Sequence, residues 1–415
     1  MLPGYAEVAH SVERPGTAHD IAAHIDWEAT LAFRERIDRC GMGVAEAMDT
    51  AQRFELGWDG ARALIERTGA LGLENGFVGA ASTDQLATIP DLDALAGAMA
   101  EQVRFVRGCG GVPILLPQPW LTGSGAGEEE FVRFYTDVID ASEGEVLLHF
   151  LGEMFHPSMR GYFPGDSLRR VLAHAPEKVR GLKLSLLDRE LEEALRAELA
   201  PRGQVILTGD DYNFAALIEG QPGPARDLAP LDGRPLAGGP FSHALLGIFA
   251  AVTRPASVAL RLLDAGDVEG YRELMGRCER LGRVIFEAPV QRYKSGIAFL
   301  AWLNGLQENR MLANHEEHAR SLDYYLRVAE AASEAGIEHF VFSSTCATYG
   351  DQDNVVLDET SVQHPINAYG ASKRAIEDML NAKMPISRIA AEIGRHRSTV
   401  YREIKRNSFT DAELP

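Results

Sequence analysis

The chain has 415 residues, of which 46% are hydrophobic and 24% charged, with a formal net charge of -19. That composition excludes wholesale disorder, and the acidic balance excludes nonspecific phosphate binding by the body of the protein, which needs clustered Lys and Arg. Cys40, Cys109, Cys278 and Cys346 stand far apart with no CxxC pair, which excludes a zinc knuckle or a disulfide scaffold. The N-terminal residues lack a basic stretch followed by an apolar core, and no run of about 18 apolar residues occurs, so the expected setting is the cytoplasm with no membrane span.

After a polar arm, Asp26 to Arg39 reads as a helix with an apolar stripe at Trp27, Leu31, Phe33 and Ile37, closed by Gly41 and Gly43. Strands are then expected over 43–48, 76–81, 112–116, 146–151, 181–186 and 205–208. Helices are expected over 58–68, 92–107, 128–141, 167–174 and 190–199. Strands that alternate with helices through short loops predict a parallel sheet, and this many units favour a closed (β/α)8 barrel over an open one. The Gly- and Pro-rich stretch 221–240 reads as a loop, either a lid or a surface excursion. Beyond Phe241 the pattern turns helical, over 256–263, 268–286 and 295–303.

The run Val179-Arg180-Gly181-Leu182-Lys183-Leu184-Ser185 places a lysine on an apolar strand. An ammonium taken out of water tends to neutralise, and a neutral amine is the nucleophile that forms Schiff bases with carbonyl substrates. The competing reading is structural: a lysine at a strand end that bends its ammonium to water or pairs with Asp188.

The strand–helix order, Gly181-Leu182-Lys183, the later Gly209-Asp210-Asp211 and the segments Ala265-Gly266-Asp267 and Tyr293-Lys294-Ser295-Gly296 together resemble the dihydrodipicolinate synthase and N-acetylneuraminate lyase superfamily, in an uncharacterised branch. The resemblance implies a 2-oxo acid joined to, or released from, an aldehyde through an enzyme-bound imine. Lys183, on strand six of that family, would be the nucleophile, with Gly209, Asp210 and Asp211 among the substrate-binding residues. Met48-Asp49-Thr50-Ala51-Gln52 falls where the family has a Gly-Thr-Thr-Gly-Glu loop, so Thr50 would supply the hydroxyl for the substrate carboxylate or a proton relay. Both glycines are lost, and Asp49 would repel a carboxylate unless it is protonated or turned away. His149 stands near the family's strand-five tyrosine and can shuttle protons near neutral pH, while a satisfied core histidine is its structural alternative. Tyr162 is the second candidate for that role. A changed carboxylate loop beside a retained lysine predicts a carbonyl donor other than pyruvate.

From about Ile337 the sequence changes character. Ser343-Ser344-Thr345 and Tyr369-Gly370-Ala371-Ser372-Lys373 resemble the extended short-chain dehydrogenases, specifically UDP-glucose 4-epimerases. Thr345, Tyr369 and Lys373 match that family's sugar-orienting hydroxyl, acid/base tyrosine and its lysine partner. The Gly-rich dinucleotide loop has no counterpart upstream, so this piece is expected to be catalytically silent. From Lys383 to Asn407, seven Lys/Arg stand against two Glu, an excess of five positive charges. Ile386 to Asn407 resembles the helix-turn-helix of insertion-element transposases. Ser398 would cap its second helix, and Arg397, Arg402 and Lys405 would face DNA.

The expectation is therefore a composite α/β chain. A (β/α)8 TIM barrel with C-terminal helices would span 1–336, an epimerase-like fragment 337–382 and a helix-turn-helix-like tail 383–415. Its partners would be a 2-oxo acid and an aldehyde, with weak DNA contact by the tail, no metal, no cofactor, and assembly as a homo-oligomer. Two alternatives remain: a DNA-binding regulator acting through the tail, and an NAD-dependent sugar-nucleotide epimerase, against which the missing Gly-rich loop weighs.

Overall fold

The structure, a computed structural model, describes residues 25–48, 52–307 and 309–335. The chain divides into two compact units, Met1–Val328 and Ala329–Pro415; within the second, the described residues are 329–335. Thr345, Tyr369, Lys373, Arg397, Ser398, Arg402 and Lys405 lie outside the described residues, as does Thr50.

The first unit begins with α1 (Trp27–Arg39), β1 (Val44–Glu46), α2 (Arg53–Ala70), β2 (Phe77–Ala81), α3 (Leu92–Gly108) and β3 (Val112–Leu115). It continues with α4 (Pro119–Gly123), α5 (Glu128–Asp140), β4 (Val146–Leu151), α6 (Ser167–Ala173), β5 (Val179–Ser185), α7 (Arg189–Leu199), β6 (Val205–Thr208) and α8 (Phe214–Glu219). Aspartates start several helices where the sequence leaves backbone N–H groups without intrahelical partners: Asp26 accepts from Ala29 N, Asp91 from Ala94 N and Asp188 from Leu191 N.

β1 to β6 pair in chain order, all parallel, and β9 (His243–Ala244) joins β6, giving a curled sheet of seven strands among the described residues. Seven strands are described where eight were expected, and in this count Lys183 lies on the fifth strand and His149 on the fourth, each one place earlier than the resemblance implies. Residues 1–24 lie outside the description, so the count starts at β1.

Strand side chains alternate between two layers, as the two-residue period requires. Leu148, Leu182, Leu184 and Ile206 face outward and pack with Phe131, Val138 and Leu195 of the surrounding helices. Each fully buried leucine of this layer contributes about 1.5–3 kcal/mol relative to an exposed one. Leu147, Val205 and Leu207 face inward with Ala80, Val112 and Ile114. Lys183 follows the inward parity.

The stretch read as a loop is an antiparallel hairpin, β7 (Arg226–Leu231) and β8 (Arg234–Gly238). Its turn is made by Asp232 and Gly233, both with positive φ (50° and 74°), the conformation that Asp-Gly adopts in two-residue hairpin turns. The hairpin crosses the N-terminal ends of the strands. Arg180 donates to the carbonyls of Pro230 (3.0 Å) and Ala229 (2.6 Å), and Asp232 N donates to Glu145 (2.7 Å). Leu228, Leu231 and Leu236 enter the inward-facing layer and close the barrel from below.

The remaining elements are α9 (Phe249–Asp264), α10 (Val268–Ile285), α11 (Lys294–Leu303), a 3-10 turn (Ala313–Ala319) and α12 (Leu322–Glu334). These agree with the helical reading beyond Phe241 except for the two-residue β9. No helix among the described residues is long and apolar enough to cross a membrane.

Candidate functional site

Lys183 reaches a cavity of about 940 Å3 whose wall also carries Met48, Gln52, Leu207, Leu236 and Lys294. The cavity wall is mainly apolar, and the hairpin forms part of it.

His149 and Lys183 are register partners on β4 and β5, and Lys183 is also partnered with Leu207 on β6. His149 is buried, and its Nε2 lies 3.2 Å from the Ser185 hydroxyl. Its Nδ1 has no hydrogen-bond partner among the described residues. Burial, reinforced by the positive charge of Lys183, holds the imidazole well below its ordinary pKa, so it stays neutral at neutral pH.

The turn after β6 separates the roles of its three residues. Gly209 N donates to Leu184 O (2.8 Å). A methyl at Gly209 would collide with the Ser185 hydroxyl and lie 3.0 Å from Lys183 Cε, so glycine is what lets β6 end against the lysine. Asp210 is a local cap, accepting from Tyr212 N (2.9 Å), Asn213 N (3.0 Å) and Asn213 Nδ2 (2.9 Å). Asp211 is buried and accepts only a long bond from Ile248 N (3.3 Å) among those of its oxygens that are described. Burial pushes its carboxyl up to about 7, against the opposing pull of Lys183, the Ile248 N–H and Lys294. Lys183, His149, Ser185, Gly209 and Asp211 thus form one group, with the amine in the cavity and the histidine and carboxyl behind it.

Two sequence candidates are placed apart from this group. The Tyr162 hydroxyl accepts from Gln118 N (2.7 Å) and lies 2.8 Å from the Tyr135 hydroxyl, inside the outer layer between sheet and helices. Burial raises its pKa above the ordinary phenol value. Asp188, the alternative partner for Lys183, is exposed and occupied as the cap of α7. Thr50 lies outside the described residues, and Met48 and Gln52, the described residues that flank it in sequence, line the cavity. Arg53 donates to Asp84 (2.9 Å), Gln102 (2.7 Å) and the carbonyls of Ala47 and Ala80 (each 2.9 Å).

Sequence reasoning gave Lys294 and Ser185 no role. Lys294, the first residue of α11, is 7% exposed and lies 5.3 Å from the Tyr293 ring centre, in the same cavity wall as Lys183. Its signal was present: a lysine opening the apolar run Ser295 to Leu303. Ser185 was legible as the inward neighbour of Lys183 two positions along β5.

Among solved structures, the fold is similar to dihydrodipicolinate synthase from Bacillus clausii, with TM-score 0.55 and 14% identity, covering 77% of this chain and 94% of that one. Dihydrodipicolinate synthase from Acinetobacter baumannii complexed with pyruvate gives TM-score 0.53 and 14% identity, covering 75% and 94%. N-acetylneuraminate lyase from Mycoplasma synoviae gives TM-score 0.51 and 10% identity, covering 77% and 94%. At these identities the likeness establishes the barrel fold. Curated relatives match a short segment: UDP-glucose 4-epimerase of Rhizobium leguminosarum bv. trifolii is 56% identical over 55 residues, and that of Streptococcus mutans 46% over 55. The chain spans only 17% and 16% of the length of these two relatives. A helix-turn-helix domain model matches residues 372–407. The chain is thus composite, and with residues 5–340 matching the family described as protein of unknown function (DUF993), it belongs to that family.

Proposed function

We propose that the chain is an imine-forming lyase or aldolase acting on a 2-oxo acid, with Lys183 as nucleophile. The observation that carries this reading is a lysine on the inner face of a barrel strand, opening into a largely apolar cavity with a neutral histidine and a protonatable carboxyl packed behind it.

The chemistry proceeds in four steps. Lys183 first gives up its ammonium proton; the free amine adds to the C2 carbonyl carbon, and a proton passes from the nitrogen to the carbonyl oxygen to give a carbinolamine. Loss of water leaves the imine. In the synthetic direction a proton leaves C3, and the enamine carbon forms a bond to an aldehyde carbon while the aldehyde oxygen takes up a proton. In the cleavage direction the C4 hydroxyl gives up its proton as the C3–C4 bond breaks, the aldehyde departs and C3 is protonated. Water then hydrolyses the imine and frees the lysine. Asp211, whose carboxyl burial pushes well above the usual carboxylate range, suits the proton transfers through the Lys183 group, and neutral His149 with Ser185 suits proton exchange beside the nitrogen. The apolar wall favours imine over hydrate by excluding water. Lys294, the second lysine in the wall, suits the substrate carboxylate, a task for which Asp49 carries the wrong sign.

The test is borohydride reduction in the presence of pyruvate and a panel of longer 2-oxo acids, followed by peptide mass spectrometry. An adduct on Lys183 that disappears in Lys183→Arg is the expected result. Absence of an adduct on folded protein with every acid in the panel would sink the reading.

A further inference from the structure

The 3-10 turn Ala313–Ala319 brings together three side chains that the barrel chemistry does not use. A 3-10 helix repeats every three residues, so side chains at i and i+3 eclipse. His315 and His318 accordingly lie on one edge with their rings stacked, centres 5.6 Å apart and planes 13° from parallel. Glu317 stands between them, its Oε1 at 3.2 Å from His315 Nδ1 and 3.6 Å from His318 Nε2. One ligand atom from each residue falls within 4.8 Å of the others.

We propose that His315, Glu317 and His318 form a binding site for a divalent transition-metal ion of the zinc type. Two imidazole nitrogens and one carboxylate are a donor set that suits zinc, with bond lengths of about 2.0–2.2 Å. Two ligands on one tetrahedral ion at those lengths stand about 3.3 Å apart, and the observed 3.2 and 3.6 Å bracket that separation. The carboxylate is positioned from behind: Glu317 Oε2 accepts Leu312 N at 2.9 Å, which leaves Oε1 facing the histidines. His315 holds a positive φ of 54°, a costly backbone for histidine that turns its ring toward Glu317. Glu317 is buried and His318 half exposed, so the fourth coordination position opens to water on the His318 side.

The ion would act as a clamp on the wall of the barrel cavity. Glu316, in the middle of the turn, accepts from Gln52 Nε2 (2.9 Å) and pairs with Arg292, and its carbonyl accepts from Ser295 Oγ (3.1 Å). Gln52 and Lys294, which adjoin these contacts, both line the cavity. The site stands whether or not Lys183 forms an imine.

The experiment uses the full chain, stripped with a chelator and titrated with Co2+, then with Zn2+ in competition. The expected result is saturable visible absorption from about one Co2+ per chain, displaced by Zn2+, and a thermal midpoint that rises with Zn2+. His318→Gln, at an exposed position, and His315→Asn, which tolerates the positive φ, are each expected to weaken binding by about tenfold or more, in line with the loss of a ligand. The double variant is expected to abolish both the absorption and the midpoint shift. No saturable binding by the folded chain, or binding that persists undiminished in the double variant, overturns the proposal.

Discussion

Gly209 shows how closely the reactive strand is packed. Its Cα faces the Ser185 hydroxyl and Lys183 Cε across a gap that no side chain fits. Gly209→Ala is expected to cost about 1–3 kcal/mol as β5 and β6 are pushed apart, and to reduce any Lys183 adduct more than it lowers stability would explain. Urea denaturation alongside borohydride trapping measures both. Asp211 makes a separate prediction. Its carboxyl titrates near 7 in the folded protein and near 4 when unfolded, so between those values the folded state binds the extra proton. The group's contribution to stability is therefore fully present below about 4, declines as pH rises and is lost above about 7. Asp211→Asn keeps an acceptor for Ile248 N and removes that decline. The stability difference is expected to move in the variant's favour by a few kcal/mol between these pH values, read from urea titrations across the range. Lys183 was legible as a lysine set in an apolar strand, and the structure adds which face of that strand it takes. Lys294 carried a local signal, a lysine opening an apolar helix, but that signal does not say that α11 begins in the cavity wall.

At the scale of elements, the strands from Val44 to Thr208 and the helices around them followed from short apolar runs that alternate with helical segments. The hairpin did not, because 221–240 carries enough Gly and Pro to mask two short strands. The signal was nonetheless there: Asp232-Gly233 between Leu231 and Arg234, with Leu228 and Leu236 on either side. Arg180 ties this hairpin to β5, its side chain only 6% exposed against Glu145 and two carbonyls. Arg180→Met strands a partly buried carboxylate and leaves those carbonyls without their donor. The expected loss is about 2–4 kcal/mol in urea denaturation, with earlier proteolytic cleavage between Arg226 and Gly238.

The whole molecule joins a family-length barrel to shorter matches with different relatives, and the change of charge sign near Lys383 announced part of that organisation. The strand after β6 was less legible, since β9 is two residues long and follows a stretch rich in Gly and Pro. A chain ending at residue 340, where the family match stops, is expected to keep the Lys183 adduct. Weak DNA contact by the tail would show as gel retardation by the full chain at low salt that fades as salt rises. The hairpin beneath the barrel carries a further consequence. Leu231 and Leu236 belong both to that hairpin and to the cavity wall, so the depth available to a substrate is set by a turn outside the parallel strands. The hairpin works as a ruler: shortening Leu236 to alanine is expected to shift preference toward longer 2-oxo acids while Lys183 stays where it is, so that chain-length selection and bond chemistry could diverge independently in evolution.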